Sequence, residues 1–268
     1  MENRIDKKFF DLKKQNKKAL ACFVTSCDPN KELSEKIINS LPNYGADIIE
    51  IGIPFSDPMA DGPTIQLASN RALESGINLN DIFKLVSNAK NLKRQMPIIL
   101  MGYYNVILHY GIKAFVKNCV VNGVDGLIIV DLQPEEDEEL NIELKKNKID
   151  LIRLLTPTTN EKRLKLILNN ASGFLYYVSV MGTTGQKSAN ISELQKSVNF
   201  IKKYTDLPVI PGFGIKNADD VSNICNIADG AVVGSSIVKI IEDNMNDRQA
   251  MLKNIDKFTK ELKKGSLS

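Results

Sequence analysis

Histidine is nearly absent from this chain, with His109 the only one. A single imidazole cannot build a His-rich zinc site, and any Ser-His triad would depend on that one residue. His109 is expected at a helix start, as a solvated or capping polar group. The four cysteines, Cys22, Cys27, Cys119 and Cys225, form no CxxC pair and accompany no second ligand cluster. That argues against a disulfide framework and for buried, reduced thiols. No metal site is expected. Tryptophan is missing altogether, which decides nothing about function. Charge of one sign is not in excess either, since 35 basic and 32 acidic residues leave a formal net charge of +3. These charges are spread along the chain without the stripe of a nucleic-acid-binding protein or the face of a membrane-binding one, so neither partner is expected and a phosphate has to be held locally. No apolar run reaches the length of a membrane span, and the segment MENRIDKKFFDLKKQNKK has no apolar stretch of the signal-peptide kind. A cytoplasmic protein is expected. Linkers rich in Ser and Gly are lacking too, so one domain over residues 1–268 is the natural reading.

What the chain does have is alternation. Short apolar, β-branched runs at 21–25, 48–52, 98–101, 126–130, 151–155, 174–179, 209–210 and 230–233 are separated by amphipathic stretches at 32–41, 64–73, 79–92, 113–122, 135–146, 161–168, 192–203 and 218–225. Near-continuous apolar runs suit parallel strands covered on both faces. Another amphipathic stretch precedes the first strand. Eight strands, each followed by a helix, predict an α/β fold, an eight-stranded parallel β/α (TIM) barrel with an extra N-terminal helix. An open doubly wound sheet is the alternative. On a barrel, chemistry belongs to the C-terminal ends of the strands and the loops that follow.

The second strand leaves as IIEIGIPFSDPMADGPTIQ, with Glu50 inside the strand and Asp57 and Asp61 on a loop rich in Gly and Pro. A carboxylate in an apolar strand has two readings. Pointing into the barrel, Glu50 is desolvated, its pKa rises and it can carry a proton near neutral pH. Otherwise it forms a buried ion pair, for instance with Arg153 on the fifth strand. Asp61 taken alone reads better as a turn residue in Asp-Gly-Pro, where Asp is common. Three other exits carry glycine and hydroxyl groups without carboxylates: Met181-Gly182-Thr183-Thr184-Gly185, Gly212-Phe213-Gly214 and Gly234-Ser235-Ser236. Glycine lets backbone N–H groups approach an anion closely, and Ser235-Ser236 opens a helix whose dipole favours negative charge. The residues alone thus describe a barrel enzyme for a small phosphate ester, with carboxylates opposite the phosphate.

The segment Glu50 to Gln66, EIGIPFSDPMADGPTIQ, closely resembles the signature of the tryptophan synthase α subunits. The resemblance continues in family order through Phe23-Val24-Thr25, Asp28-Pro29, Met101-Gly102-Tyr103-Tyr104-Asn105, Gly123-Val124-Asp125-Gly126, Asp131, residues 176–185, Gly212-Phe213-Gly214-Ile215 and Gly234-Ser235-Ser236-Ile237-Val238. It covers nearly the whole chain. It implies a lyase that cleaves indole-3-glycerol phosphate to indole and glyceraldehyde 3-phosphate, with Glu50 and Asp61 as catalytic carboxylates and Tyr176 beside them. It places Gly185, Gly214, Gly234 and Ser235 at the phosphate, and Phe23, Met101, Ile128, Val130 and Phe213 around the indole. Thr183 and Thr184 fall in a lid, and Pro54 and Asp57 on the rim that docks a β subunit in an α2β2 assembly. The chain itself is expected to need no cofactor, pyridoxal phosphate belonging to the β partner. Asp131-Leu132-Gln133-Pro134 departs from many relatives at Gln133, away from every carried-over catalytic role.

The implied chemistry suits these residues. Aldolase-type cleavage of a carbon–carbon bond usually relies on a lysine Schiff base or a metal as electron sink. No lysine lies in the second to eighth candidate strands. Indole supplies its own sink, because protonation of the ring carbon bearing the side chain creates an iminium ion. A stand-alone lyase of the same family, or a binding subunit that only activates a β subunit, would carry the same motifs. Turnover of the purified chain distinguishes them.

Overall fold

The structure, a computed structural model, describes residues 3–90, 96–178, 187–212 and 214–267. Its elements run α1 (Arg4–Lys14), β1 (Ala19–Thr25), α2 (Lys31–Tyr44), β2 (Ile48–Gly52), α3 (Pro63–Glu74), α4 (Leu79–Lys90), β3 (Ile98–Gly102), α5 (Tyr104–Tyr110), α6 (Ile112–Asn122), β4 (Gly126–Ile129) and α7 (Glu138–Asn147). They continue through β5 (Asp150–Leu151), β6 (Arg153–Leu155), α8 (Glu161–Leu168), β7 (Leu175–Val178), α9 (Lys187–Ile201), β8 (Val209–Gly212), α10 (Ala218–Cys225), β9 (Gly230–Val233), α11 (Ser235–Asp243) and α12 (Arg248–Gly265). Asparagine side chains start several helices: Asn3, Asn30, Asn160 and Asn217 each accept a first-turn backbone N–H.

All strand pairs are parallel, in the order β5-β4-β3-β2-β1-β9-β8-β7-β6. The expected fifth strand is broken in two at Ile152, so nine strand segments stand where eight were expected. The first half pairs with β4 and the second with β7, while the Ile152 N–H donates to Leu127 O at 2.9 Å. Residues 150–155 thus join the two edges, and the sheet is a closed barrel instead of an open doubly wound one.

Closure sorts the side chains by parity. Leu20, Cys22, Ile49, Ile51, Leu100, Leu127, Leu155, Leu175 and Val233 face outward into the core shared with the helices. Ala21, Ile48, Ile99, Ile128, Phe174, Ile210 and Val232 fill the barrel interior, with Ile5 and Leu12 of α1 packed against the same cluster. Helix α1 plugs the N-terminal end of the barrel: its Phe9 ring lies 5.8 Å from that of Phe174, and Arg4 Nε sits 2.6 Å from Asp125 Oδ1. This is the extra N-terminal helix expected from the sequence.

Three local expectations change. His109 lies exposed in the last turn of α5, a short helix that begins at Tyr104, so it does not open a helix. The helix expected at 135–146 begins only at Glu138, because the backbone of Asp137 turns there and its buried carboxylate pairs with Arg153. The stretch expected as a helix over 192–203 already starts at Lys187. All four cysteines are buried and unpaired. No helix among the described residues is long and apolar enough to cross a membrane.

Candidate active site

Glu50 has the parity of Ile48, so it points into the barrel, flanked in register by Phe23 and Ile99. It is fully buried, and neither carboxylate oxygen has a hydrogen-bond partner. Desolvation alone pushes its pKa from an ordinary 4.5 up to about 8, which keeps it protonated at neutral pH. The alternative ion pair with Arg153 is ruled out by direction. Arg153 has the opposite parity, pairs with Asp137 and donates from Nη1 to Leu132 O at 3.2 Å.

Asp61 is held in a different way. Its Oδ2 accepts the Tyr103 hydroxyl at 2.9 Å, and the same phenol oxygen accepts the Ala60 N–H at 3.0 Å. The Phe55 ring stacks on Tyr103 at 5.0 Å between centroids. Gln66 Nε2 donates to Asp61 O at 2.9 Å, so the loop that carries Asp61 is stitched both to the barrel and to α3. Asp61 is therefore more than a turn residue, since its carboxylate reaches across to a side chain at the exit of β3. Burial raises its pKa, and the Tyr103 hydrogen bond works in the opposite direction. Tyr103 is the functional candidate that the sequence reading left without a role, although it lies inside a quoted motif.

Tyr176 on β7 faces inward, and its phenol is raised well above the ordinary range by burial and then by the nearby Glu50 and Asp61 charges. Gly212 on β8 makes room for it, because a Cβ there would lie 2.7 Å from the Tyr176 hydroxyl. A cavity of about 790 Å³ opens at this end of the barrel. Phe23, Asp61, Met101, Val130 and Tyr176 line it, together with Gly214, Gly234 and Ser235 on the opposite exits. Ile128, by contrast, is wholly buried in the interior cluster, paired in register with Met101.

Two of the glycine exits, at Gly214 and Gly234, are described. Gly234 is the N-cap of α11, and its carbonyl accepts from Ile237 at 2.9 Å and Val238 at 3.1 Å. The Ser235 and Ser236 amides precede these and have no acceptor within the helix. Gly214 adopts φ +61°, a left-handed conformation that favours glycine. Ser236 Oγ donates to Ile215 O at 2.5 Å and so ties the β8 exit to the start of α11. Pro54 is buried, whereas Asp57 is exposed and accepts the Ser56 hydroxyl at 2.6 Å. Thr183, Thr184, Gly185 and Phe213 lie outside the described residues. Among the described residues, no group of three or more His, Cys, Asp or Glu side chains could hold a metal ion.

The geometry agrees with what known proteins resemble. The family model described as tryptophan synthase alpha chain matches residues 9–267. The chain is 47% identical over 249 residues to the tryptophan synthase alpha chain of Petrotoga mobilis, covering 93% of this chain and 96% of the relative. It is 46% identical over 245 residues to that of Geotalea uraniireducens, covering 91% of each. Among solved structures, tryptophan synthase subunit alpha from Legionella pneumophila superposes with a TM-score of 0.92 at 35% identity, over 99% of this chain and 98% of that one. Taken with an inward carboxyl on β2, a second carboxylate on the loop after it and glycine-rich exits opposite, these matches establish that the chain belongs to the tryptophan synthase alpha chain family.

Proposed function

We propose that Glu50 and Asp61 divide the acid–base work of this family's reaction, the cleavage of indole-3-glycerol phosphate to indole and glyceraldehyde 3-phosphate. The chain is an alpha subunit of tryptophan biosynthesis and catalyses the alpha reaction. The observation that carries the division of labour is the contrast in environment. Glu50 is sealed inside the barrel without a partner, while Asp61 stands on the cavity wall with a hydrogen bond from Tyr103. Two carboxyl groups in such different surroundings take different protonation states.

Protonated Glu50 delivers its proton to the ring carbon that bears the glycerol chain. The ring becomes an iminium ion, and ionised Asp61 accepts the ring N–H and stabilises the positive charge growing there. A carboxylate or a water takes the proton of the adjacent side-chain hydroxyl, that carbon becomes an aldehyde, and the electrons of the breaking carbon–carbon bond flow into the iminium. Indole and glyceraldehyde 3-phosphate result, with no external oxidant or reductant. Tyr176 packs beside both carboxyl groups. Gly214, Gly234 and Ser235, together with Gly185, hold the phosphate through backbone amides and the α11 dipole. Phe23, Met101, Val130 and Phe213 surround the indole, with Ile128 buried beside Met101 behind that wall, and Thr183 and Thr184 belong to a lid.

The partner is a β subunit that receives the indole, in an α2β2 assembly with pyridoxal phosphate on the β side. Asp57 on the exposed rim is the docking edge, with the buried Pro54 behind it, and one loop carries both this rim and Asp61. Partner binding and substrate binding are then linked reciprocally in free energy. The test is indole release from indole-3-glycerol phosphate by the purified chain, with and without a β subunit, for wild type and Asp61→Asn. The expected result is a low basal rate, a rise on adding β subunit, and a loss of about 10²–10⁴-fold in the variant. A folded Asp61→Asn variant with near-normal turnover removes Asp61 from the mechanism, and a wild type that β subunit leaves unchanged favours a stand-alone lyase.

A further inference from the structure

Helix α3 begins two residues after Asp61, and helix α11 begins at Ser235 in the glycine cradle. Two kinds of contact join them. Near their starts, Ile65 and Ala68 of α3 pack with Val238 of α11 and Phe23 of β1 in a small apolar cluster. Farther along, Arg71 of α3 reaches the exit of β1, where Nε and Nη2 donate to Oδ1 and Oδ2 of Asp28 at 2.8 and 2.9 Å. Its Nη1 lies 4.0 Å from Glu242 Oε1 on α11. The Asp28 side chain is completely buried. An apolar cluster is non-directional and lets two helices slide, whereas a planar guanidinium gripping a carboxylate with two donors fixes both distance and angle. Lysine, a point charge on a flexible stem, does not reproduce that grip.

We infer that Arg71 is a positioning residue that sets the spacing between Asp61 and the phosphate cradle by locking α3 to the exit of β1 and drawing it toward α11 through the longer ion pair with Glu242. The inference rests on the assignment of Asp61 to the indole end and of Gly234 and Ser235 to the phosphate end. A change in spacing is felt only by a ligand that spans both ends, so two probes distinguish positioning from general loosening. The first is 3-(indol-3-yl)propyl phosphate, the substrate skeleton without its hydroxyls, and the second is glycerol 3-phosphate, which fills the cradle alone.

Arg71→Lys keeps a cation beside buried Asp28 while removing the two-point grip. Titration calorimetry is expected to show the spanning ligand weakened about tenfold, less than the roughly 100-fold that a misplacement of about 1 Å can cost an oriented reaction, with glycerol 3-phosphate changed less than about twofold. The kcat/KM for substrate should fall in step with the spanning ligand. Glu242→Gln leaves the Asp28–Arg71 pair in place and should weaken only the spanning ligand, by a smaller factor; it decides the matter if Arg71→Lys does not fold. Equal losses for both probes, or losses for neither, overturn the positioning role. Failure of the wild type to bind glycerol 3-phosphate is a separate outcome that overturns the phosphate assignment, and the inference with it.

Discussion

Glu50→Gln should make the protein more stable with respect to wild type as the pH rises, while removing its turnover. The folded-state pKa of Glu50 is about 8 against an ordinary 4.5, and burial is the whole cause. In the unfolded chain the carboxyl loses its proton near 4.5, whereas in the folded chain it keeps the proton until about 8. A group raised in this direction contributes its full stability below the unfolded pKa and loses it as the pH climbs through the folded one. Glutamine has nearly the same shape and does not titrate. The stability of the variant relative to wild type should therefore increase by about 1.36 kcal/mol per pH unit across that interval and level off above it, a total on the order of 5 kcal/mol. By pH 7 about 3 kcal/mol of this is already expressed. Urea unfolding at pH steps from 5 to 9 reads it directly: with m of about 3 kcal/mol/M, the two midpoints should diverge by about 1 M between pH 5 and 8. In parallel, wild-type turnover should fall as the pH rises past about 8, where the acid form disappears. Stability differences that stay flat with pH would show that Glu50 folds as an ionised group with a partner, and the general-acid role would fall with its burial argument.

Tyr103→Phe removes the hydroxyl that donates to Asp61 at 2.9 Å, so the Asp61 pKa should rise and the acid limb of the kcat/KM profile should move to higher pH. Hydrogen bonds to charged groups are worth about 1.5–3 kcal/mol, so the acid limb should move up by about one to two pH units, and an unmoved acid limb would refute it. In Gly234→Ala the new Cβ would stand 3.3 Å from Phe23 Cβ, tight enough to displace the cap of α11. Inhibition by glycerol phosphate should weaken and KM should rise, with kcat reduced less. Asp57→Ala removes an exposed carboxylate bonded to its neighbour Ser56, so the melting temperature should hold while more β subunit is needed for half-maximal activation. Identical activation curves would exclude Asp57 from the docking edge.

Much of this protein is decided locally and is legible in the chain itself. Near-continuous apolar strands such as Ile48–Gly52 can only be buried on both faces, and their alternation with amphipathic helices specifies a parallel α/β sheet, leaving its closure to tertiary pairing. The glycine and serine of the proposed anion cradle are legible too, because backbone approach and helix-start amides depend on residues adjacent in sequence. Other features require closure of the ring. In Ile48-Ile49-Glu50-Ile51 every neighbour is apolar, so no pattern tells which face Glu50 takes; the barrel decides that it points inward and Arg153 outward, and so decides between a partnerless buried carboxyl and an ion pair. The break at Ile152 arises because one strand has to pair with β4 at its start and β7 at its end. Asp61 and Tyr103 stand 42 residues apart, and Arg71 and Asp28 43. Local sequence encodes the elements and the kinds of side chain available, but hydrogen-bond geometry and desolvation exist only once distant segments are packed together, and these two turn ordinary carboxyl groups into an acid and a held carboxylate.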